Sequence, residues 1–257
     1  MKATPPFTVV YEDDNIIAVN KASGVSVGGD RWDDSKERLD KLVSGIVRPA
    51  SKIFTVHRID RETSGLVVFA KKEAAHRRLS IAFEERNVTK RYIAIVHGRP
   101  QWQETVCDLP LIPNGNKQHL TIIDKYRGKK SLTRFKLSGS AGNYSVLEVF
   151  PETGRTHQIR VHAAALGFPI VCDLLYGKGK PVLLSAIKKN WRGDLFEEKP
   201  LLARLGLHAA ELFLPIETIL GEFVNDTGKN KNILTIQAPT SKDMMSLIKQ
   251  MEKITAT

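Results

Sequence analysis

The sequence predicts an α+β fold: a mixed, mostly antiparallel sheet flanked by helices. Three observations lead there. Strand-like apolar runs outnumber segments of helical period. Turn residues fall between neighbouring strand-like runs, as hairpins require. Strands and helices do not alternate in the regular order that builds a parallel sheet. With 257 residues the chain is long enough for a sizeable core, and a single domain is expected, with its core over about 7–239.

The elements follow in chain order. Residues 7–11 read as a strand, Glu12-Asp13-Asp14-Asn15 as a turn, and residues 16–20 as a second strand. A loop, Lys21-Ala22-Ser23-Gly24-Val25, comes next. Over 33–47, Leu39, Leu42, Val43 and Ile46 recur at helical spacing. The run Leu66-Val67-Val68-Phe69-Ala70 reads as a buried strand, and residues 72–87 as a helix with Ala75, Leu79, Ala82 and Phe83 on one face. Residues 89–97 form a strand with Tyr92, Ala94 and Val96 on one side and Ile93 and Ile95 on the other.

Pro110, Pro113 and Gly115 make 101–130 an exposed basic loop with one short strand near 120–123. A hairpin is expected over 131–150, turning through Ser138-Gly139-Ser140-Ala141-Gly142-Asn143. Thr156 is placed to cap a helix that Gly167 and Pro169 end, with Ile159, Ala163 and Leu166 on its apolar side. Residues 182–186 look strand-like and 188–199 are highly charged. Leu207-His208-Ala209-Ala210-Glu211-Leu212-Phe213 leads into Pro215, and 241–254 is an amphipathic helix with Met244, Leu247, Ile248 and Met251 as its stripe.

Composition narrows the function classes. No apolar run approaches the roughly 20 residues that span a bilayer, and no secretory leader is visible. A soluble, cytoplasmic, monomeric protein is expected. Cys107 and Cys172 stand far apart, which supports buried thiols rather than a disulfide framework or a zinc site. The net charge is +11, and residues 51–200 hold 26 of the 39 Lys and Arg but only 14 of the 28 Asp and Glu. That basic excess suits a polyanion such as nucleic acid, and equally a solvated basic face.

Three clusters combine polar side chains with strand or helix boundaries, where sites are commonly built. The first is His57-Arg58-Ile59-Asp60-Arg61-Glu62-Thr63-Ser64-Gly65. It sets one carboxylate between two arginines, which favour its charged form. Asp60 is therefore either half of a structural ion pair or a nucleophile beside a polyanionic substrate. The others are Lys90-Arg91-Tyr92 and Gly154-Arg155-Thr156-His157-Gln158-Ile159-Arg160-Val161-His162. No GxSxG, P-loop or GxGxxG occurs. His157 and His162 are five apart, on different helix faces, so a metal pair is not expected there. By itself His57 reads as a hydrogen-bonded structural residue, and Arg155 and Arg160 as a solvated helix face.

Together these segments resemble the RluA family of RNA pseudouridine synthases. Residues 57–65 resemble the family's HRLDxxTSG signature, with Ile for Leu. Residues 90–98 resemble its KxYxAxVxG strand, 154–162 its GRTHQIRVH segment, and Leu207-His208-Ala209 its late LHA element. Cys172-Asp173-Leu174-Leu175-Tyr176-Gly177 also fits the family order. The family's KPxG loop here reads Lys21-Ala22-Ser23-Gly24, and loss of the proline is expected to loosen it. The S4 RNA-binding domain of larger members is not expected before Phe7.

The resemblance implies the pseudouridine synthase fold, with a basic active-site cleft across the sheet that holds structured RNA, ribosomal or transfer. It implies isomerisation of uridine without cofactor or metal. Asp60 would be the nucleophile, at the anomeric carbon or the uracil ring. Arg160 would be its salt-bridge partner, Tyr92 would stack on the target base, and Arg58 would fill the gap left when that base is extruded. An RNA-binding or RNA-remodelling relative without activity is the alternative. A two-carboxylate glycosidase is disfavoured, because the clusters supply one acid among arginines. Arg61 fits a phosphate contact or a solvated charge equally well.

Overall fold

The computed structural model describes residues 5–29, 37–47, 52–115, 120–188, 191–194, 196–216 and 233–255. In chain order its elements are β1 (Phe7–Glu12), β2 (Ile16–Lys21), α1 (Leu39–Ile46), β3 (Phe54–Thr55), β4 (Ser64–Ala70), α2 (Glu73–Glu84), β5 (Thr89–His97), β6 (Glu104–Cys107), β7 (Leu111–Ile112), β8 (Ile122–Ile123), β9 (Thr133–Ala141), β10 (Tyr144–Pro151), α3 (Gln158–Ala165), β11 (Leu207–Pro215), β12 (Ile233–Gln237) and α4 (Lys242–Thr255). The fold is α+β with antiparallel strand pairing, as the sequence predicts. The chain folds into two compact units: residues 1–90 with 209–239, and residues 91–208 with 240–257.

In the first unit β2 and β4 pair antiparallel from Ile16↔Ala70 to Lys21↔Gly65. Every residue of β4 is buried, which explains its continuous apolar run: a strand covered on both faces loses alternation. The β1–β2 turn is set by Asp13, whose Oδ1 accepts the N–H groups of Asn15 and Ile16 at 2.7 and 2.8 Å. Helix α2 buries Ala75, Leu79 and Ala82, one stripe at i, i+4 and i+7. α1 starts at Leu39 and buries Leu39 and Val43; positions 33–36 of the predicted helix lie outside the described residues. At Gly65 φ is +115°, and a Cβ would sit 2.2 Å from the Ala209 carbonyl oxygen. Only glycine allows β4 and β11 to approach there.

In the second unit the strand order is β5-β10-β9-β6. β9 and β10 run further than predicted, with Tyr144 opposite Ala141, and the turn shrinks to Gly142-Asn143. Ser140 and Ser145, paired across the strands, bring their hydroxyls to 2.7 Å, a cross-strand contact that local turn propensity does not reveal. Met244, Leu247 and Met251 of α4 pack into a core with Ile95, Tyr144 and Val171, so the predicted stripe is the buried one.

Three local expectations fail. Residues 182–186 are no strand: Val182 makes one bridge to Leu202 and the chain then turns. Val182 and Ile187 are buried, so the apolar pattern there reflects burial, which periodicity cannot tell from strand pairing. The loop at 101–130 contains β6 and β7 as well as the expected strand at β8. Thr156 does not cap α3; His157 occupies that position in the left-handed conformation, φ 53°.

Candidate active site

The first unit holds the Asp60 turn. Ile59 is buried, Asp60 half-buried and Arg58 exposed, so alternate side chains point away from the core. Thr63 N–H closes the turn on the Asp60 carbonyl at 3.1 Å. His57, just before it, is structural. Its Nε2 accepts the Val68 N–H of β4 at 2.9 Å and its ring stacks on Phe83 of α2, centroids 4.7 Å apart. Accepting that bond requires a neutral ring. Burial, with the Lys90 ammonium adding to it, pushes the imidazole down to about 3.

A stability prediction follows. In the unfolded chain His57 takes up a proton near pH 6.5, in the fold only near 3. Between those values the unfolded state binds more protons. His57's contribution is therefore complete above pH 6.5 and declines below it, by roughly 1–2 kcal/mol on going from pH 6.5 to pH 5. Urea unfolding at the two pH values should show this slope in the natural protein and a shallower one in His57→Gln. Equal slopes would refute the assignment.

The loop after β2 fastens the same turn. Lys21, 1% exposed, donates from Nζ to the carbonyls of Arg61 and Ala22, both at 2.9 Å. Gly24 N–H donates to the Arg61 carbonyl at 2.8 Å and Ser23 Oγ to the Glu62 carbonyl at 2.6 Å. Arg61 Nε returns a bond to the Gly24 carbonyl at 2.9 Å. Arg61 thus acquires the role that the sequence left open: it ties the turn to the loop. Ala22 stands where the family has proline, and its N–H, which proline would lack, donates to the Pro6 carbonyl at 2.9 Å. Hydrogen bonds substitute for the ring constraint whose loss was expected to loosen this loop.

The second unit holds Tyr92 and Arg160. Tyr92 is half-buried in β5, opposite Val149 of β10. Arg160 is not on a solvated face. It is 3% exposed and donates from Nε and Nη2 to Asp173 at 2.8 and 2.7 Å. Those bonds use two of the five guanidinium N–H donors. Asp173 Oδ1 also accepts the N–H groups of Leu175 and Tyr176 at 2.9 and 3.1 Å. Burial alone would raise the Asp173 carboxyl; the hydrogen bonds and charge of Arg160, with those two amides, outweigh it and hold the group below the ordinary carboxylate range.

Gln158 and His162, one helical turn apart on α3, both reach Thr133 at the start of β9, at 2.9 Å each. Gln158 also donates to the Leu132 carbonyl at 3.0 Å. His157 Nδ1 lies 2.8 Å from the Tyr176 hydroxyl, which accepts the Thr121 N–H at 3.0 Å. The Arg160 guanidinium sits 5.2 Å from the Tyr176 ring centroid. Sequence reasoning assigned no part to Asp173 or Tyr176, although the segment 172–177 was a signal. Among the described residues no group of three or more His, Cys, Asp or Glu is placed to hold a metal ion, and no helix is long and apolar enough to cross a membrane.

A family model described as RNA pseudouridylate synthase matches residues 15–165. The chain is 36% identical over 216 residues to the dual-specificity RNA pseudouridine synthase RluA of Vibrio vulnificus, covering 81% of this chain and 78% of that one. The chain belongs to the RluA-like RNA pseudouridine synthases. It is also 36% identical over 186 residues to the ribosomal large subunit pseudouridine synthase D of Zymomonas mobilis, over 68% of this chain and 57% of that relative's length. The fold is that of human RNA pseudouridylate synthase domain containing 4, with TM-score 0.69 at 20% identity, over 95% of this chain and 92% of that one. Human RNA pseudouridylate synthase domain containing 1 superposes with TM-score 0.65 at 25% identity, over 100% and 98%. The family match takes in Arg58, Asp60, Tyr92 and Arg160, while Asp173 and Tyr176 lie beyond it.

Proposed function

We propose that this chain converts selected uridines of structured RNA to pseudouridine. The bond from the ribose C1′ to uracil N1 breaks, a bond from C1′ to C5 forms, C5 loses its proton and N1 gains one. Asp60 is the nucleophile, a role carboxylates fill at anomeric carbons. Tyr92 stacks on the target base, and Arg58 fills the place of the extruded base. Arg160, oriented by Asp173, serves the reaction centre in the rigid planar geometry a lysine would lack. No cofactor or metal takes part in this reading, and the protein works as a cytoplasmic monomer.

One observation carries it. A half-buried carboxylate stands on a turn whose next two carbonyls are tied down by Lys21, Ser23 and Gly24. Such fixing holds a reacting group in place before substrate arrives, the condition for a large proximity effect. Ribosomal RNA is a proposed substrate because the name of one relative specifies the ribosomal large subunit, and transfer RNA because the family resemblance implies it. The test incubates the purified protein with unmodified ribosomal and transfer RNA transcripts and maps pseudouridine by mass spectrometry. Modification at a few discrete uridines is expected. No pseudouridine in either pool, from protein with an intact circular dichroism spectrum, would sink the reading.

A further inference from the structure

The turn that follows β8 carries a feature the reaction does not use. Tyr126 is 97% exposed. It stands in Lys125-Tyr126-Arg127-Gly128-Lys129-Lys130, and Lys125, Arg127, Lys129 and Lys130 are exposed too. Four cations thus surround one bare aromatic ring within six residues. A single exposed aromatic is ordinary on a protein surface. This one differs in how firmly its backbone is held.

Asp124 Oδ1 accepts the N–H groups of both Tyr126 and Arg127 at 2.9 Å, and its Oδ2 accepts Arg127 Nε at 2.8 Å. Gly128 N–H closes the turn on the Asp124 carbonyl at 2.9 Å. A Cβ at Gly128 would lie 2.3 Å from that oxygen, so the closure depends on glycine. Leu111 and Lys129 exchange two backbone bonds, at 3.0 and 2.8 Å, which anchor the turn's far end. Tyr126 therefore projects from a built platform whose backbone ordering cost is already met before a ligand arrives.

The platform is joined to the segment that leads into α3. Arg155 Nε donates to the Lys130 carbonyl at 3.3 Å. At the near end, Thr121 N–H donates to Tyr176, the residue whose ring lies beside Arg160. A ligand held on Tyr126 is thus held on the same unit, and through one continuous set of bonds, as Arg160.

We propose that the 124–130 turn is an RNA contact surface that stacks an unpaired base on Tyr126 and holds the flanking phosphates with Lys125, Lys129 and Lys130. The inference deepens the reading of the chain as an RNA pseudouridine synthase and rests on it for the choice of RNA. A flat exposed ring offers a stacking face to any base, and cations on either side of it suit a backbone that continues past that base in both directions. A duplex presents no free base face, so the surface selects RNA with an unpaired nucleotide.

The probe is a fluorescein-labelled 12-nucleotide oligo(A), titrated by anisotropy at 50 mM KCl, with a 16-base-pair RNA duplex for comparison. Tyr126→Ala is expected to weaken single-strand binding by about tenfold and duplex binding by less than about twofold, while Tyr126→Phe, which keeps the ring, stays within about twofold on both. Lys129→Gln with Lys130→Gln should lower the salt dependence of single-strand binding, by about 0.7 in the log–log slope for each phosphate that is no longer neutralised. Natural-strength binding by Tyr126→Ala overturns the proposal, as does an equal loss on duplex and single strand. Pseudouridine assays on the same proteins keep the two readings apart. Turnover by the natural protein with unchanged binding by Tyr126→Ala removes only this surface. Absence of turnover with Tyr126-dependent binding removes only the enzymatic reading.

Discussion

Asp60→Asn is expected to abolish pseudouridine formation, lowering the rate by about 10⁴-fold or more, as loss of a covalent nucleophile does in other enzymes. The amide has the carboxylate's shape without its nucleophilic oxygen. Bonds that hold the turn without the Asp60 side chain stay in place in this variant: the Asp60 carbonyl to Thr63 N–H, and the Arg61 carbonyl to Lys21 and Gly24. RNA affinity should stay within about tenfold, since phosphate contacts dominate affinity and this change removes none of them. The measurement pairs single-turnover kinetics with a binding titration of the same variant. Normal turnover would rule out Asp60 as the nucleophile. Loss of turnover together with loss of binding would point to a structural part instead.

Asp173→Ala has the second-largest expected effect, on stability. Arg160 and Asp173 are 3% and 1% exposed and share two hydrogen bonds. Removing the acid leaves a guanidinium buried without that partner, which costs about 3–5 kcal/mol in comparable pairs. Replacing both together, Arg160→Met with Asp173→Leu, should cost clearly less, because the buried guanidinium is then removed with its acid. Urea unfolding of the two single variants and the double variant measures the coupling. A loss under about 1 kcal/mol in Asp173→Ala would show that the pair does little for the fold. Acid should act in the same direction. The Asp173 carboxyl titrates lower in the fold than in the unfolded chain, so its contribution is whole above the unfolded value of about 3.9. It declines as pH falls below that value and is gone once pH passes the lower folded one.

The two variants also separate two kinds of residue. Asp60 lies in a motif legible from its residue types and order, and its neighbours in the turn are close in sequence. Asp173 lies 13 residues beyond Arg160 in the chain, and nothing in the local pattern of either marks them as partners. The Arg61 case is similar. From the sequence it was an unassigned charge; its bond to Gly24 spans 37 positions. The Tyr126 platform needed both levels: its basic, aromatic composition can be read directly, but the Asp124 bonds that stiffen it cannot.

What the sequence by itself determined is the class of fold, the strands β1, β2, β4 and β5, the helical faces of α2 and α4, and the family. Those rest on short-range periodicity and on motifs whose order survives along the chain. What only the tertiary structure decided is which polar side chains are buried and what they hold. It placed Arg160 in the interior against Asp173 and made His57 a neutral acceptor for the Val68 N–H of β4. It tied that turn to the Lys21–Gly24 loop and ended the strand expected at 182–186. Each of these depends on a partner or a covering surface far away in sequence. Burying a charge or an imidazole is favourable only when that distant partner is present, and a local pattern does not contain it.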